Sequence, residues 1–145
     1  MDKQREQFYN MLMLAGFRPK LEEDNDISFK VGNKEDSSTA FLEIEETNPN
    51  LFKLALPRIY EIEKKDMCLA LDTLKSIETL GKSTTGNSEI TLIRDDNIFT
   101  LWISTGQLSL EQTKEKDLIK NKIHNLLETR ESIDRLLYKA SVTTT

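Results

Sequence analysis

The stretch that most constrains the fold is residues 51–80, LFKLALPRIYEIEKKDMCLALDTLKSIETL, where two different apolar periods stand side by side. In its first part, Phe52, Leu54 and Leu56 fall at alternate positions, which predicts a half-buried strand. Pro57 follows, and proline lacks a backbone donor and disfavours helix in the residue before it. We therefore expect Pro57 to separate this strand from the element that comes next.

Beyond the proline, the apolar residues recur at helical spacing, which predicts an amphipathic helix in the middle of the chain. They are Met67, Ala70, Leu71, Leu74 and Ile77. We expect the strand and this helix to bury their apolar faces against each other.

A first helix is predicted over residues 3–15. Its apolar stripe follows the i, i+3, i+4, i+7 pattern and consists of Phe8, Met11, Leu12 and Ala15. Gly16 and then Phe17 come directly after it, which is the composition of a Schellman stop.

Four further strands are predicted by alternating apolar residues. Two of them, at 27–31 and 40–46, precede the central strand and are joined to it by short polar turns. The other two, at 90–93 and 98–104, form a hairpin around the turn sequence Asp95-Asp96-Asn97.

The last part of the chain, residues 110–140, is predicted to be one long helix. Apolar residues fall there at alternating spacings of four and three, with Arg130 at one position of the seam. The seam contains Ile119, Ile123, Leu126, Ile133, Leu137 and Ala140. We expect residues 141–145 to be a disordered tail and residues 1–140 to form a single domain.

The element order α-β-β-β-α-β-β-α predicts an α+β domain with a five-stranded antiparallel sheet covered by helices and a long C-terminal helix. Thirteen strand residues are expected to face the core: Ile27, Phe29, Val31, Leu42, Ile44, Phe52, Leu54, Leu56, Ile90, Leu92, Phe99, Leu101 and Ile103.

The charge balance argues against nucleic acid or an anionic membrane as the main partner. The formal net charge is −5, and the basic residues are interleaved with acids and form no concentrated patch. No apolar run reaches the roughly 18–20 residues of a membrane span, and the N-terminus lacks the apolar segment of a secretory signal. With Cys68 as the single cysteine, we expect a cytoplasmic protein.

The order of elements resembles the type III secretion chaperone-like superfamily, including its YbjN-like bacterial domains. The resemblance rests on the strands ISFKV, AFLEIEE and LFKLALP, the helix MCLALDTLKSI, the hairpin EITLIRDDNIFTLWI and the terminal helix. It implies a non-enzymatic binding domain, usually a homodimer, that engages a partner polypeptide.

We find no pattern that predicts a catalytic, metal or cofactor site. His124 has only Lys120 and Glu128 near it at helical spacing, so we interpret it as a solvent-facing or packing residue. Cys68 is interpreted as a buried, inert thiol, with activation by nearby lysines as the alternative. The acidic run Glu22, Glu23, Asp24 and Asp26 lacks the glycine of a calcium loop, so we expect a solvated loop.

A candidate interface lies on the outer face of the hairpin, where Ile93, Ile98 and Trp102 fall opposite the core-facing residues. This face is expected either to bind a protein, with a second copy of the chain as one such partner, or to be covered by the terminal helix. The terminal helix in turn is expected either to pack on its own domain or to exchange with a second subunit.

These observations favour a protein-binding module of the secretion-chaperone-like or YbjN-like kind. The alternative is a small acidic immunity-type or antitoxin-type inhibitor of a basic protein. A third hypothesis, a small-molecule-binding domain or an enzyme, would need polar groups that converge in an apolar pocket.

Overall fold

The first helix, α1 (Lys3–Leu14), ends in the predicted Schellman motif. We describe the protein from a computed structural model, over residues 3–32, 38–63, 75, 88–95 and 98–143. The amide of Phe17 donates to the carbonyl of Leu12 and that of Gly16 to the carbonyl of Met13, both at 3.0 Å. Gly16 has φ +95°, a conformation that glycine adopts without steric cost. The glycine therefore ends the helix and directs Phe17 back towards the core.

The predicted five-stranded antiparallel sheet is confirmed. The order along the sheet is β1-β2-β3-β4-β6-β5, and the two-residue strands β1 and β7 extend it to seven, with β7 paired to β4. The strands are β1 (Lys20–Leu21), β2 (Ile27–Val31), β3 (Ser38–Ile44), β4 (Leu51–Glu63), β5 (Ser88–Asp95), β6 (Ile98–Thr105) and β7 (Leu108–Ser109).

One face of the sheet carries the core, as the alternation of apolar residues predicted. Cross-strand partners such as Ile27 and Leu42, or Leu42 and Leu54, are all fully buried. Nine of the expected core residues are buried in one apolar cluster: Ile27, Phe29, Val31, Leu42, Phe52, Leu54, Leu56, Leu101 and Ile103. Ile44 is partly buried against this cluster, so the predicted face of the sheet is confirmed for these residues.

The prediction that Pro57 ends the central strand was wrong. The strand β4 runs through it to Glu63, and the register against β6 shifts between Leu56 and Tyr60. Leu56 pairs with Ile103 and Tyr60 with Leu101, so that three residues of β4 oppose the single residue Trp102. A bulge of this kind leaves residues without ladder hydrogen bonds, which is why a strand can carry proline there.

The terminal helix is split near its start, which corrects the prediction of one helix from residue 110. A 3-10 helix (Leu110–Lys114) begins at a capping box between Ser109 and Gln112. The α-helix proper, α2, starts after Asp117, which has φ +62°, and runs from Leu118 to Thr143. It therefore extends past residue 140, where we expected it to end.

The terminal helix α2 packs on its own sheet. Its buried residues Ile119, Ile123, Leu126 and Ile133 belong to the same cluster as Phe8 of α1 and the core-facing strand residues. Within this single chain the helix therefore packs on the core face of its own domain, and exchange with a second subunit stays a prediction. Of the predicted middle helix only Lys75 is described, as a helical and exposed residue, and the rest of that helix, with Cys68, lies outside the described residues.

Candidate functional site

The predicted interface residues lie around the β5–β6 hairpin. Ile98, the first residue of β6, is 39% exposed, and Trp102 is less exposed because it is half-buried. The indole Nε1 of Trp102 donates to the hydroxyl of Thr100 at 3.2 Å, along the outer face of the same strand. The backbone of Ile93 pairs with Thr100, and the Ile93 side chain falls outside the described part of the chain. The hairpin thus brings Ile98 and Trp102 onto one face, with Ile98 the more accessible of the two.

The most exposed large apolar side chains of the described residues lie elsewhere, at the end of α1. Leu14 is 90% exposed and Met13 is 54% exposed. Full burial of a leucine side chain contributes roughly 1.5–3 kcal/mol, and a leucine that is almost entirely in water gains almost none of this. Large exposed apolar groups beside a groove are a common mark of a protein interface.

A groove of about 470 Å³ lies beside Leu14, between α1 and the start of the terminal helical region. We call it the α1 groove. One wall is a face of α1 together with the residue that follows it, at helical spacing: Gln7, Asn10, Met11, Leu14 and Ala15. The other wall is formed by residues 113–120, where the chain turns from the 3-10 helix into α2. Its rim carries the exposed lysines Lys114, Lys116 and Lys120 together with Glu115 and Asp117.

Leu14 was not predicted from the sequence, because only the apolar residues of the core-facing stripe of the helix were considered. Leu14 stands outside the stripe formed by Phe8, Met11, Leu12 and Ala15. An apolar residue outside the buried stripe of an amphipathic helix is the sequence feature that could have pointed to it. The second wall could not be predicted from the sequence, because its position depends on the path that the chain takes after β7.

A second cluster, made of polar and charged groups, lies at the β1 edge of the sheet. The guanidinium of Arg5 on α1 donates to three backbone carbonyls of the β1–β2 connection. The acceptors are Glu22 at 2.5 Å, Asp24 at 2.9 Å and Asp26 at 3.1 Å. One side chain thereby ties the start of α1 to the loop that precedes β2.

Acidic side chains surround this connection, and we call Glu22, Asp24, Asp26 and Glu43 the acidic corner. Glu22 accepts a hydrogen bond from the Ser28 hydroxyl at 2.7 Å, and the Asp24 carboxylate accepts one from the Asp26 amide at 3.0 Å. Glu23 and Asp24 are exposed, as expected of a solvated loop, whereas Glu22 and Asp26 are partly buried.

Burial and charge both act on two carboxyl groups of the acidic corner, those of Asp26 and Glu43. Burial, with added repulsion from Asp24 and Glu43, raises the pKa of Asp26 to about 6, although Arg5 opposes the shift. Burial likewise raises the pKa of Glu43, and Lys53 on the neighbouring strand counteracts it. These acids therefore take up protons at higher pH than exposed carboxyl groups do.

A smaller depression of about 240 Å³ lies next to Glu43, along the end of β3. Its lining includes three glutamates, Glu43, Glu45 and Glu46, with Lys53 as the cation among the lining residues. Together with the acidic corner, it makes this end of the sheet strongly negative.

The remaining predicted residues have ordinary surroundings. His124 lies on the exposed side of α2, with Nε2 2.9 Å from the carboxylate of Glu128 one turn later. This confirms its interpretation as a solvent-facing residue. Within the described ranges, no group of three or more histidine, cysteine, aspartate or glutamate side chains is arranged to hold a metal ion. No helix among the described residues has the combination of length and apolarity needed to cross a membrane.

Comparison with known proteins supports the fold. No protein-family model and no curated protein sequence matches the chain. The structure is similar to the crystal structure of an uncharacterized protein from Methanothermobacter thermautotrophicus, with a TM-score of 0.58 and 14% sequence identity. The match covers 91% of this chain and 97% of that chain. At this identity the similarity shows a shared fold over nearly the whole chain.

Proposed function

We propose that the protein is a non-enzymatic protein-binding module, of the secretion-chaperone-like or YbjN-like kind, that engages an apolar segment of a partner polypeptide. The observation that carries this proposal is Leu14, an almost fully exposed leucine on the wall of the α1 groove. Burial of Leu14 and Met11 by a partner would contribute apolar contact at the centre, and the charged rim would surround it.

The shape of the α1 groove favours a partner segment that is itself helical. Its α1 wall presents residues at i, i+3, i+4, i+7 and i+8, the spacing at which side chains of a second helix interdigitate. An extended segment that adds to a sheet needs an unpaired strand edge, and the lining of the α1 groove contains no strand residue.

The test compares two substitutions on the same turn of α1. Leu14→Glu places a charge on the wall of the groove, and Met13→Glu places the same charge on an exposed residue that does not line it. Tagged wild-type and variant proteins are used to capture partners from a lysate, and the captured complex is then measured with purified components. We expect one stoichiometric partner that is lost by Leu14→Glu and retained by Met13→Glu. Equal binding by all three proteins would contradict the proposal.

We also propose that the chain forms a homodimer through the outer face of the hairpin. The accessible Ile98 and the half-buried Trp102 on one strand face support this choice of surface. Ile98→Glu and Trp102→Glu should weaken self-association in sedimentation experiments, while Leu14→Glu should not. Unchanged self-association of both hairpin variants would exclude this surface.

The acidic end of the sheet favours a second candidate function, inhibition of a basic partner protein. Glu43, Glu45 and Glu46 around one depression, beside the acidic corner, form a surface that would attract such a partner. The reversal Glu45→Lys/Glu46→Lys should then slow association and reduce its dependence on salt. The same reversal at Glu128 and Glu131, exposed residues of α2 that belong neither to the depression nor to the acidic corner, serves as the control.

A further inference from the structure

The chain turns between the 3-10 helix (Leu110–Lys114) and α2 without a glycine or a proline. Neither residue occurs from residue 107 to residue 143. These are the residues that most often end or break a helix. Glu115 and Lys116, which lie within the turn, are good helix formers. The local sequence therefore also permits a single continuous helix through residues 115–117.

The turn depends instead on the backbone conformation of two residues. Glu115 is extended, with φ −67° and ψ 133°, and Asp117 is left-handed, with φ +62°. Asp117 is the one residue other than glycine that has a positive φ in the described part of the chain. L-residues disfavour this region, although aspartate tolerates it better than most. Such a conformation persists where the surrounding structure fixes it, and it recurs in segments that switch between two arrangements.

The chain is anchored to the domain on both sides of the turn. Before it, Leu108 of β7 pairs with Phe52, and the amide of Leu110 donates to the carbonyl of Asn50 at 2.8 Å. After it, α2 is held by apolar residues that are buried in the core cluster: Ile119, Ile123, Leu126 and Ile133. A second copy of the chain carries the same helix with the same apolar face, so its α2 fits the same surface with the same contacts.

We infer that residues 115–117 are a hinge through which two copies of this chain exchange their α2 helices. When Glu115 and Asp117 adopt the ordinary right-handed helical conformation, the 3-10 helix and α2 become one helix that points away from its own sheet. Each α2 then packs on the sheet of the second copy and makes there the contacts that it makes here within one chain. The two forms therefore differ mainly in the hinge, and short connections under backbone strain favour such an exchange.

The exchange of α2 is independent of the proposed function. It also differs from the proposed hairpin dimer, because Ile98 and Trp102 take no part in it. The exchange does change the α1 groove, since residues 113–120 form the second wall of that groove. Straightening of the hinge moves this wall away from α1, so the exchanged dimer has no α1 groove of the present shape.

The experiment compares the Ile98→Glu chain, as the parent, with the same chain carrying Asp117→Ala or Asp117→Gly. Ile98→Glu is present in all three proteins so that association through the hairpin does not contribute. Alanine disfavours the left-handed conformation and favours helix, whereas glycine adopts the left-handed conformation without steric cost. All three are refolded at the same high concentration, and sedimentation equilibrium gives the dimer association constant.

We expect this constant to be at least about tenfold larger for Asp117→Ala than for the parent, because each dimer contains two hinges, and smaller for Asp117→Gly. Equal association constants, or no dimer in any of the three proteins, would overturn the inference.

A second measurement shows whether α2 is the element that is exchanged. Dimers are assembled by refolding a mixture of ¹³C-labelled and unlabelled chains, and isotope-filtered NMR then detects contacts between the two copies. We expect contacts between the α2 methyl groups of one copy and the β4 methyl groups of the other. A dimer in which these contacts all stay within one copy would contradict the inference. The parent chain, refolded at the same concentration, serves for this measurement if Asp117→Ala does not fold.

Discussion

The ring of Phe8 on α1 lies against the ring of Phe52 on β4, with centroids 5.0 Å apart and planes inclined by 58°. Both side chains are buried, and this pair joins the first helix to the strand at the centre of the sheet. The tilted arrangement is one that aromatic rings prefer, because the edge of one ring meets the face of the other.

Phe8→Ala should lower the free energy of unfolding by about 3–4 kcal/mol, because it removes a fully buried ring and leaves a cavity against Phe52. Urea denaturation measures the change, and Asn10→Ala on the exposed side of α1 is the control. A loss below about 1 kcal/mol would mean that α1 does not pack as described.

Gly16→Ala should lower the free energy of unfolding by about 1–2 kcal/mol. The cause is backbone conformation, since Gly16 has φ +95° and a β-carbon there would meet nothing within 4 Å. Gly16→Asn should cost less than Gly16→Ala, because asparagine tolerates the left-handed region better. Equal stability of all three proteins would show that the helix ends differently.

Arg5→Gln should lower the free energy of unfolding by about 2 kcal/mol, because hydrogen bonds that involve a charged group are the stronger ones. Arg5 donates to the carbonyls of Glu22, Asp24 and Asp26, and a glutamine cannot reach all three. Thermal unfolding measures the effect, with Lys3→Met on an exposed residue as the control. If both variants unfold at the same temperature, Arg5 does not stabilise the β1–β2 connection.

Lys53→Met should raise the pKa of Glu43 further above its ordinary value, since Lys53 counteracts the effect of burial on that carboxyl group. The free energy of unfolding of the variant should then fall more steeply than that of wild type as the pH rises through the raised pKa. Carboxyl NMR of Glu43 checks the direction. Lys30→Met, which removes a lysine that donates to Thr39, should leave Glu43 unchanged.

The sheet and both described helices could be predicted because each has a local sequence pattern. Alternation placed Phe52, Leu54 and Leu56 on the core face, and Gly16 followed by Phe17 gave the Schellman stop. The bulge at Pro57 was missed because it arises from the register of β4 against β6, residues far apart in sequence. The break at Asp117 was missed for another reason. The apolar seam starts at Ile119, so the polar residues before it fitted a helix and a loop equally well.

The candidate surfaces were harder to predict than the fold. Ile98 and Trp102 were placed on one face by alternation along a single strand, which is a local feature. The α1 groove and the acidic corner each join residues from distant parts of the chain, such as Arg5 with Asp26 and Leu14 with Lys120. Contacts of that kind follow from the three-dimensional path of the chain and leave no periodic trace.

The path of β4 has a consequence for the order in which the protein is assembled during synthesis. On one edge this strand pairs with β3, which precedes it in the chain, but on the other edge it pairs with β6 and β7, which are made much later. We expect the emerging chain to carry β4 as an edge strand until Ser109, the partner of Leu51, has left the ribosome. During that interval the future centre of the sheet is exposed to pairing with other chains.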